Sequence, residues 1–134
     1  MSVIAVRRAL ENKLAALTPS LPTAWEGASF TPVTGQAWQQ ATILRSPPIG
    51  MDLAAEAEEM LGDFRIGLFY PAGVGTAAVE ARAELLRAHF KPVQRLTEGS
   101  VNVDLVSPVY VGSVTPDEGW IHVPVAVYWR CFTS

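Results

Sequence analysis

The residues whose spacing most resembles a reactive motif are glycines. Gly73-x-Gly75-x-x-Ala78 follows a strand-like stretch and opens a helix-like one, the local form of a dinucleotide-binding fingerprint. Glycines let the backbone approach a pyrophosphate, and a helix N-terminus offers it unpaired amides. The surroundings do not match. Pro71-Ala72 separate the strand from the first glycine, and the later strands alternate polar with apolar residues, unlike the continuous apolar runs of a buried parallel sheet. The simpler reading is a tight strand-to-helix turn with Thr76 as cap. His89, His122 and Cys131 lack any paired metal-ligand spacing. His89 suits the negative end of a helix, His122 decorates an exposed strand face, and Cys131 reads as a small buried hydrophobe. No G-x-S-x-G elbow is present, and nothing places a base beside Ser100 or Ser107. Glu56, Glu58 and Glu59 form a charge run that reads as solvated, with nothing apolar around it to raise a pKa. No catalytic set, metal site or cofactor site emerges.

The elements that would position these residues follow from periodicity. Ser2 can cap a first helix in which Val3, Val6, Leu10, Leu14 and Leu17 form one apolar stripe, ended by Thr18-Pro19. Arg7 and Glu11, four apart, read as a solvated pair of scaffold value. Strands are expected at Thr23 to Glu26 and Trp38 to Arg45, the second stopped by Ser46-Pro47-Pro48. Met51 to Leu61 is rich in helix formers and is expected to be a short helix or a mobile arm. Between Asp63 and Tyr70 the chain alternates, with Phe64, Ile66, Leu68 and Tyr70 on the buried side and Asp63, Arg65, Gly67 and Phe69 on the other. A second helix runs from Thr76 to about Lys91 with Val79, Ala83, Leu86 and Phe90 inward. Two later strands, Val101 to Val106 and Trp120 to Phe132, complete the sheet. In the last, Ile121 to Cys131 at alternate positions face the core, leaving Trp120, Tyr128 and Arg130 outside. Pro124 predicts an edge position, or a place where its amide site points away from a neighbour.

The chain has 134 residues, enough for one domain with a core that needs no staple. It is 49% hydrophobic and 17% charged, which excludes intrinsic disorder. A net charge of −3 argues against a surface built to neutralise phosphates. The lone cysteine fits a reducing cytoplasm, and the Arg7-Arg8 start is the reverse of a secretory signal. No apolar run approaches the roughly 20 residues of a membrane span. No repeat or low-complexity tract is present.

One further pattern is the order of Trp25-Glu26, Phe30-x-Pro32, Gly35 and Trp38, then GDFRIGLFYPAGVG from Gly62, then an alanine-rich helix ending at Phe90, then Val123-Pro124-Val125-x-Val127-Tyr128. This order resembles the lambda-type tail terminator proteins of long-tailed bacteriophages. Met51 to Leu61 departs from it by being more helix-prone than the loop or arm of that family. The resemblance implies an α+β fold in a single domain over residues 1–134. With the periodicities above, it gives a mostly antiparallel or mixed sheet of about four to five strands with two main helices on one face. It implies a structural protein, not an enzyme, that forms a ring, hexameric in lambda-type members; if the Met51 to Leu61 arm orders only on assembly, the free protein is expected to be monomeric. Such a ring binds the last tail-tube subunits, halts tube growth and presents a surface to the head connector, in the host cytoplasm and then in the virion tail. No membrane and no sequence-specific nucleic acid is implied as partner.

A ring needs a head-to-tail interface that closes by rotation. The exposure pattern, not the resemblance, offers three segments for it: the Phe30 to Gly35 loop with Phe30 and Pro32; the Met51 to Leu61 arm with Met51, Leu53, Glu56, Glu58 and Glu59; and the face of Trp120, Tyr128 and Arg130. Two alternatives share these features: a neck or head-completion protein, and a small anion- or nucleotide-binding enzyme using the Gly73 to Ala78 turn.

Overall fold

The computed structural model describes residues 2–47, 49–50 and 58–133. The elements are α1 (Ser2–Ala15), β1 (Thr23–Trp25), β2 (Trp38–Arg45), β3 (Ile49–Gly50), β4 (Glu58–Pro71), α2 (Ala77–His89), β5 (Gln94–Glu98), β6 (Val101–Leu105), β7 (Tyr110–Val111), β8 (Thr115–Asp117) and β9 (Trp120–Thr133). The α+β class and both helices agree with the sequence reading. The sheet is larger than expected, with nine strands among the described residues. Its main path is β1-β2-β4-β9-β6-β5, while β3 pairs with β4, and β7 and β8 with β9. Among the described strands only β1 runs parallel to its neighbour, so the sheet is mixed.

The spine is the antiparallel pair β4 and β9, in register from Glu58↔Thr133 to Pro71↔Trp120. Alternation explains it: Phe64, Ile66 and Leu68 of β4 and Val123, Val125, Val127, Trp129 and Cys131 of β9 all point to one buried face. Both helices lay their stripes on that face. Val6, Leu10, Leu14 and Leu17 from the α1 segment join Val79, Ala83, Leu86 and Phe90 from the α2 segment in a single core. Cys131 lies in that core, as its position predicts. Val3, expected on the stripe, is instead exposed in the first turn of α1.

Several expectations are corrected. Residues 58–61 of the Met51 to Leu61 segment are strand, not helix, because they extend β4 to pair with the last residues of β9. Tertiary pairing overrides the helix propensity of the glutamates there. Met51, Leu53 and Glu56 lie outside the described residues. Pro124 is not on an edge, since β4 pairs with β9 on one side and β6, β7 and β8 on the other. Its carbonyl accepts from the Gly112 amide at 2.8 Å, and its nitrogen faces the same side, just past the end of β7, so the proline forgoes only the reciprocal bond at that point. Gly112 leaves space for the proline ring, for a Cβ there would lie 2.5 Å from Pro124 Cγ. Thr76 stands at the N-cap of α2 but makes no side-chain cap bond.

Two polar tethers fix α2 to α1 and to the turn that follows it. Arg82 on α2 is buried and its Nη1 donates to the Pro19 carbonyl. His89 near the end of α2 donates from Nε2 to the Lys13 carbonyl of α1. On the far side of α1, Arg7 pairs with Glu11 at 3.1 Å and with Glu26 at 3.0 Å, and Glu26 also accepts the Ile43 amide at 3.0 Å. The expected surface pair is therefore a three-residue link from α1 to β2.

The Ile43 amide and the Arg7 guanidinium hold the Glu26 carboxyl below its ordinary range. A depressed folded pKa contributes stability that is complete above the ordinary carboxylate range and is lost as pH falls through it. Glu26→Gln is expected to remove this acid-limb term. The cost at neutral pH is below about 1 kcal/mol, because the side chain is part-exposed. Urea unfolding at pH 3.5 and pH 7 checks it: the stability difference between variant and parent should shrink at low pH.

Candidate assembly surface

The sheet face away from the helices carries the candidate residues. Along β2, β4 and β9 the outward positions align in rows by register: Trp38 with Phe69 and His122, Gln40 with Gly67 and Pro124, Thr42 with Arg65 and Ala126, Leu44 with Asp63 and Tyr128. The far rows are Leu61 with Arg130 and Asp104, and Glu59 with Phe132. Asp104 pairs onward with Arg95 of β5.

The end near the β8–β9 hairpin is aromatic and self-covered. Trp38 stacks on Phe69 with ring centroids 4.2 Å apart, and Phe69 stacks on His122 at 4.6 Å. Phe30 leans on Trp38 at 5.3 Å, and Trp120 meets it edge-on at 6.1 Å. Phe30 and Trp120, from two separate candidate segments, thus join one cluster. Phe69, expected on the solvated side, is buried by this stack. Pro32 lies in the exposed loop beyond Phe30.

His122 is a further correction, for it is half-buried rather than decorating an open face. Its ring fills the space above Gly67, where a Cβ would come 2.9 Å from Nε2. Burial lowers its pKa below 6.5, only partly offset by Asp117. A depressed folded pKa makes the neutral ring the stabilising form: its contribution is full above pH 6.5 and falls away as pH drops. The His122 ring proton is expected to titrate below 6.5 by NMR, with the Trp38 indole resonance following it.

The other end is open and differently built. Tyr128 is 39% exposed and Phe132 48%. Arg130 lies 5.2 Å over the Phe132 ring and 3.6 Å from Glu59, which brings two candidate residues into one ion pair. Glu58 begins β4. Trp120 is roughly 30 Å from Arg130 along the strand at about 3.3 Å per residue, so the expected Trp120, Tyr128 and Arg130 face divides into two regions.

Sequence reasoning placed Arg65 and Phe69 on the outer side of β4 without joining them to the β9 face, and it missed Trp38 and Arg95. Arg95 was hidden because Gln94–Glu98 carries a single large apolar residue. The Gly73 to Ala78 turn is exposed, with φ of 88° at Gly73 and 85° at Gly75 demanding glycine. The β4 that precedes it is antiparallel to both β2 and β9, so the parallel unit of a dinucleotide fold is missing. Among the described residues no helix is long and apolar enough to cross a membrane.

Comparison with curated proteins finds no match. Among solved structures, one chain that is 27% identical superposes with a TM-score of 0.82 over 98% of this chain and 96% of its own. The family model described as phage tail terminator protein matches residues 5–129, which takes in both helices and the sheet from β1 to β9. The chain belongs to the phage tail terminator family.

Proposed function

We propose that this chain caps the tail tube: copies form a ring, hexameric as in lambda-type members, that binds the last tube subunits, stops polymerisation and presents the joining surface for the head connector. The observation that carries the reading is the family match over residues 5–129. The uncovered sheet face supports it: Tyr128 and Phe132 are exposed there, beside an Arg130 whose guanidinium is itself half-exposed. The role is structural. Shape and surface do the work, with no cofactor, in the host cytoplasm during assembly and in the virion tail afterwards.

Purified tail tubes mixed with the chain test this. Gold-labelled protein should sit at one tube end and block further elongation by added tube subunits. Binding along the whole tube, or to connector-bearing heads but never to tubes, would overturn tube capping; the second result would favour a neck or head-completion role.

A further inference from the structure

We propose that the open half of the outer sheet face is a socket for the β8–β9 tip of a second copy of this chain. The inference rests on the ring reading above and assigns its two contact surfaces.

The socket shows one charge sign outward. Arg65 pairs with Asp63 at 2.8 Å, Arg95 with Asp104 at 2.7 Å and Arg130 with Glu59 at 3.6 Å. In each pair the arginine side chain is the exposed member, at 61, 61 and 47%, and the carboxylate the covered one, at 19, 20 and 16%. The carboxylates act as struts that hold guanidinium heads toward solvent, which lowers the ordering cost of recognition. Apolar surface lies between the arginines. Tyr128, Val106 and Phe132 are exposed, and Val93 is 95% exposed. Two shallow concavities meet at Val106 and Arg130. Val93 holds a left-handed φ of 59°, a conformation that β-branched residues avoid. A strained residue whose side chain is almost wholly outside its own fold points to a contact outside the chain.

The complementary surface is at the other end of β9. Asp117 and Glu118 are both exposed at the hairpin tip. The Ala72 amide donates to the Gly119 carbonyl at 3.0 Å, which sets the Gly73-Val74-Gly75 turn beside that tip. Val74 there is 71% exposed. The tip thus offers two carboxylates and an apolar knob to a face of guanidinium heads and apolar hollows. Nucleic acid fits worse, because the chain carries −3 overall and repels a long polyanion beyond the local contact. A tip seated on a face is a heterologous contact, so each added copy is turned relative to the last, as a closing ring requires.

The test uses the full chain with two charge-reversed variants, Asp117→Lys with Glu118→Lys at the tip, and Arg95→Glu with Arg130→Glu in the socket. Sedimentation velocity up to about 1 mM is expected to show concentration-dependent oligomers for the parent and at least tenfold weaker association for each variant alone. An equimolar mixture should regain assembly, because reversed tip meets reversed socket and native meets native. A parent that stays monomeric, variants that assemble like the parent, or a mixture that fails to recover would each overturn the proposal, as would DNA binding lost with the socket arginines. Should a variant fail to fold, Val74→Cys and Val93→Cys chains are mixed with a short bismaleimide; cross-linked dimers are expected from the mixture, and their absence counts against the socket. Head-to-tail oligomers that ignore tube ends would sink tube capping and leave this contact standing.

Discussion

Replacing Gly62 by alanine is expected to destabilise the protein by at least about 3 kcal/mol, toward the upper range for overpacking. A Cβ at Gly62 would lie 2.0 Å from the Leu44 carbonyl oxygen and 3.1 Å from the Arg45 Cα. Both are backbone atoms, so no rotamer change relieves the clash. Strand β2 is held there by the Arg45↔Gly62 register and by the Ser46 amide donating to the Leu61 carbonyl at 2.9 Å. Retreat would cost those bonds as well. Total stabilities are about 5 to 15 kcal/mol, so the loss is a large share. Thermal melting should fall by roughly 10 °C or more. A variant within 1 kcal/mol of the parent in urea would mean the strands can part freely at this point.

The second large effect belongs to Trp129. It is the largest fully buried side chain, lies opposite Gly62 in β4 and Leu105 in β6, and is 1% exposed. Trp129→Ala is expected to cost about 3 to 5 kcal/mol through lost burial and an unfilled cavity. Trp129→Phe should cost much less. Among the described residues the buried indole Nε1 has no hydrogen-bond partner, so removing it recovers a desolvation penalty that offsets part of the lost area. Comparable losses for the two variants, measured by denaturant unfolding, would place the importance of this residue in its nitrogen rather than its bulk.

Where side chains alternate or repeat at helical spacing, the fold was legible. The stripes Val6 to Leu17 and Val79 to Phe90 located both helices, and the alternation of β4 and β9 identified the central pair. Short strands escaped because they carry too few residues to show a period. Tyr110–Val111 has two residues, and Thr115–Asp117 contains Pro116 within a loop-like stretch. Residues 58–61 misled because glutamates favour helix locally, while the length of β9 demanded a partner strand. Arg82 sits at helical spacing between Val79 and Leu86 and is buried with them, but a charged residue does not register in an apolar stripe.

The candidate site was legible only in fragments. Tyr128 and Arg130 were correctly placed on the outer side of the last strand, and Glu59 was noticed without its partner. That Glu59 and Arg130 touch, that Phe30 and Trp120 share a cluster around Trp38, and that Arg95 joins the face all depend on pairings between segments distant in the chain. One-dimensional periodicity carries no such information.

Whether this protein acts in tail assembly through its surface rather than through a reaction is tested directly by electron microscopy of lysates from the phage lacking this gene. Tubes of uncontrolled length and heads without joined tails are expected, both restored when the parent protein is supplied. Normal-length tails attached to heads in its absence would contradict an assembly role.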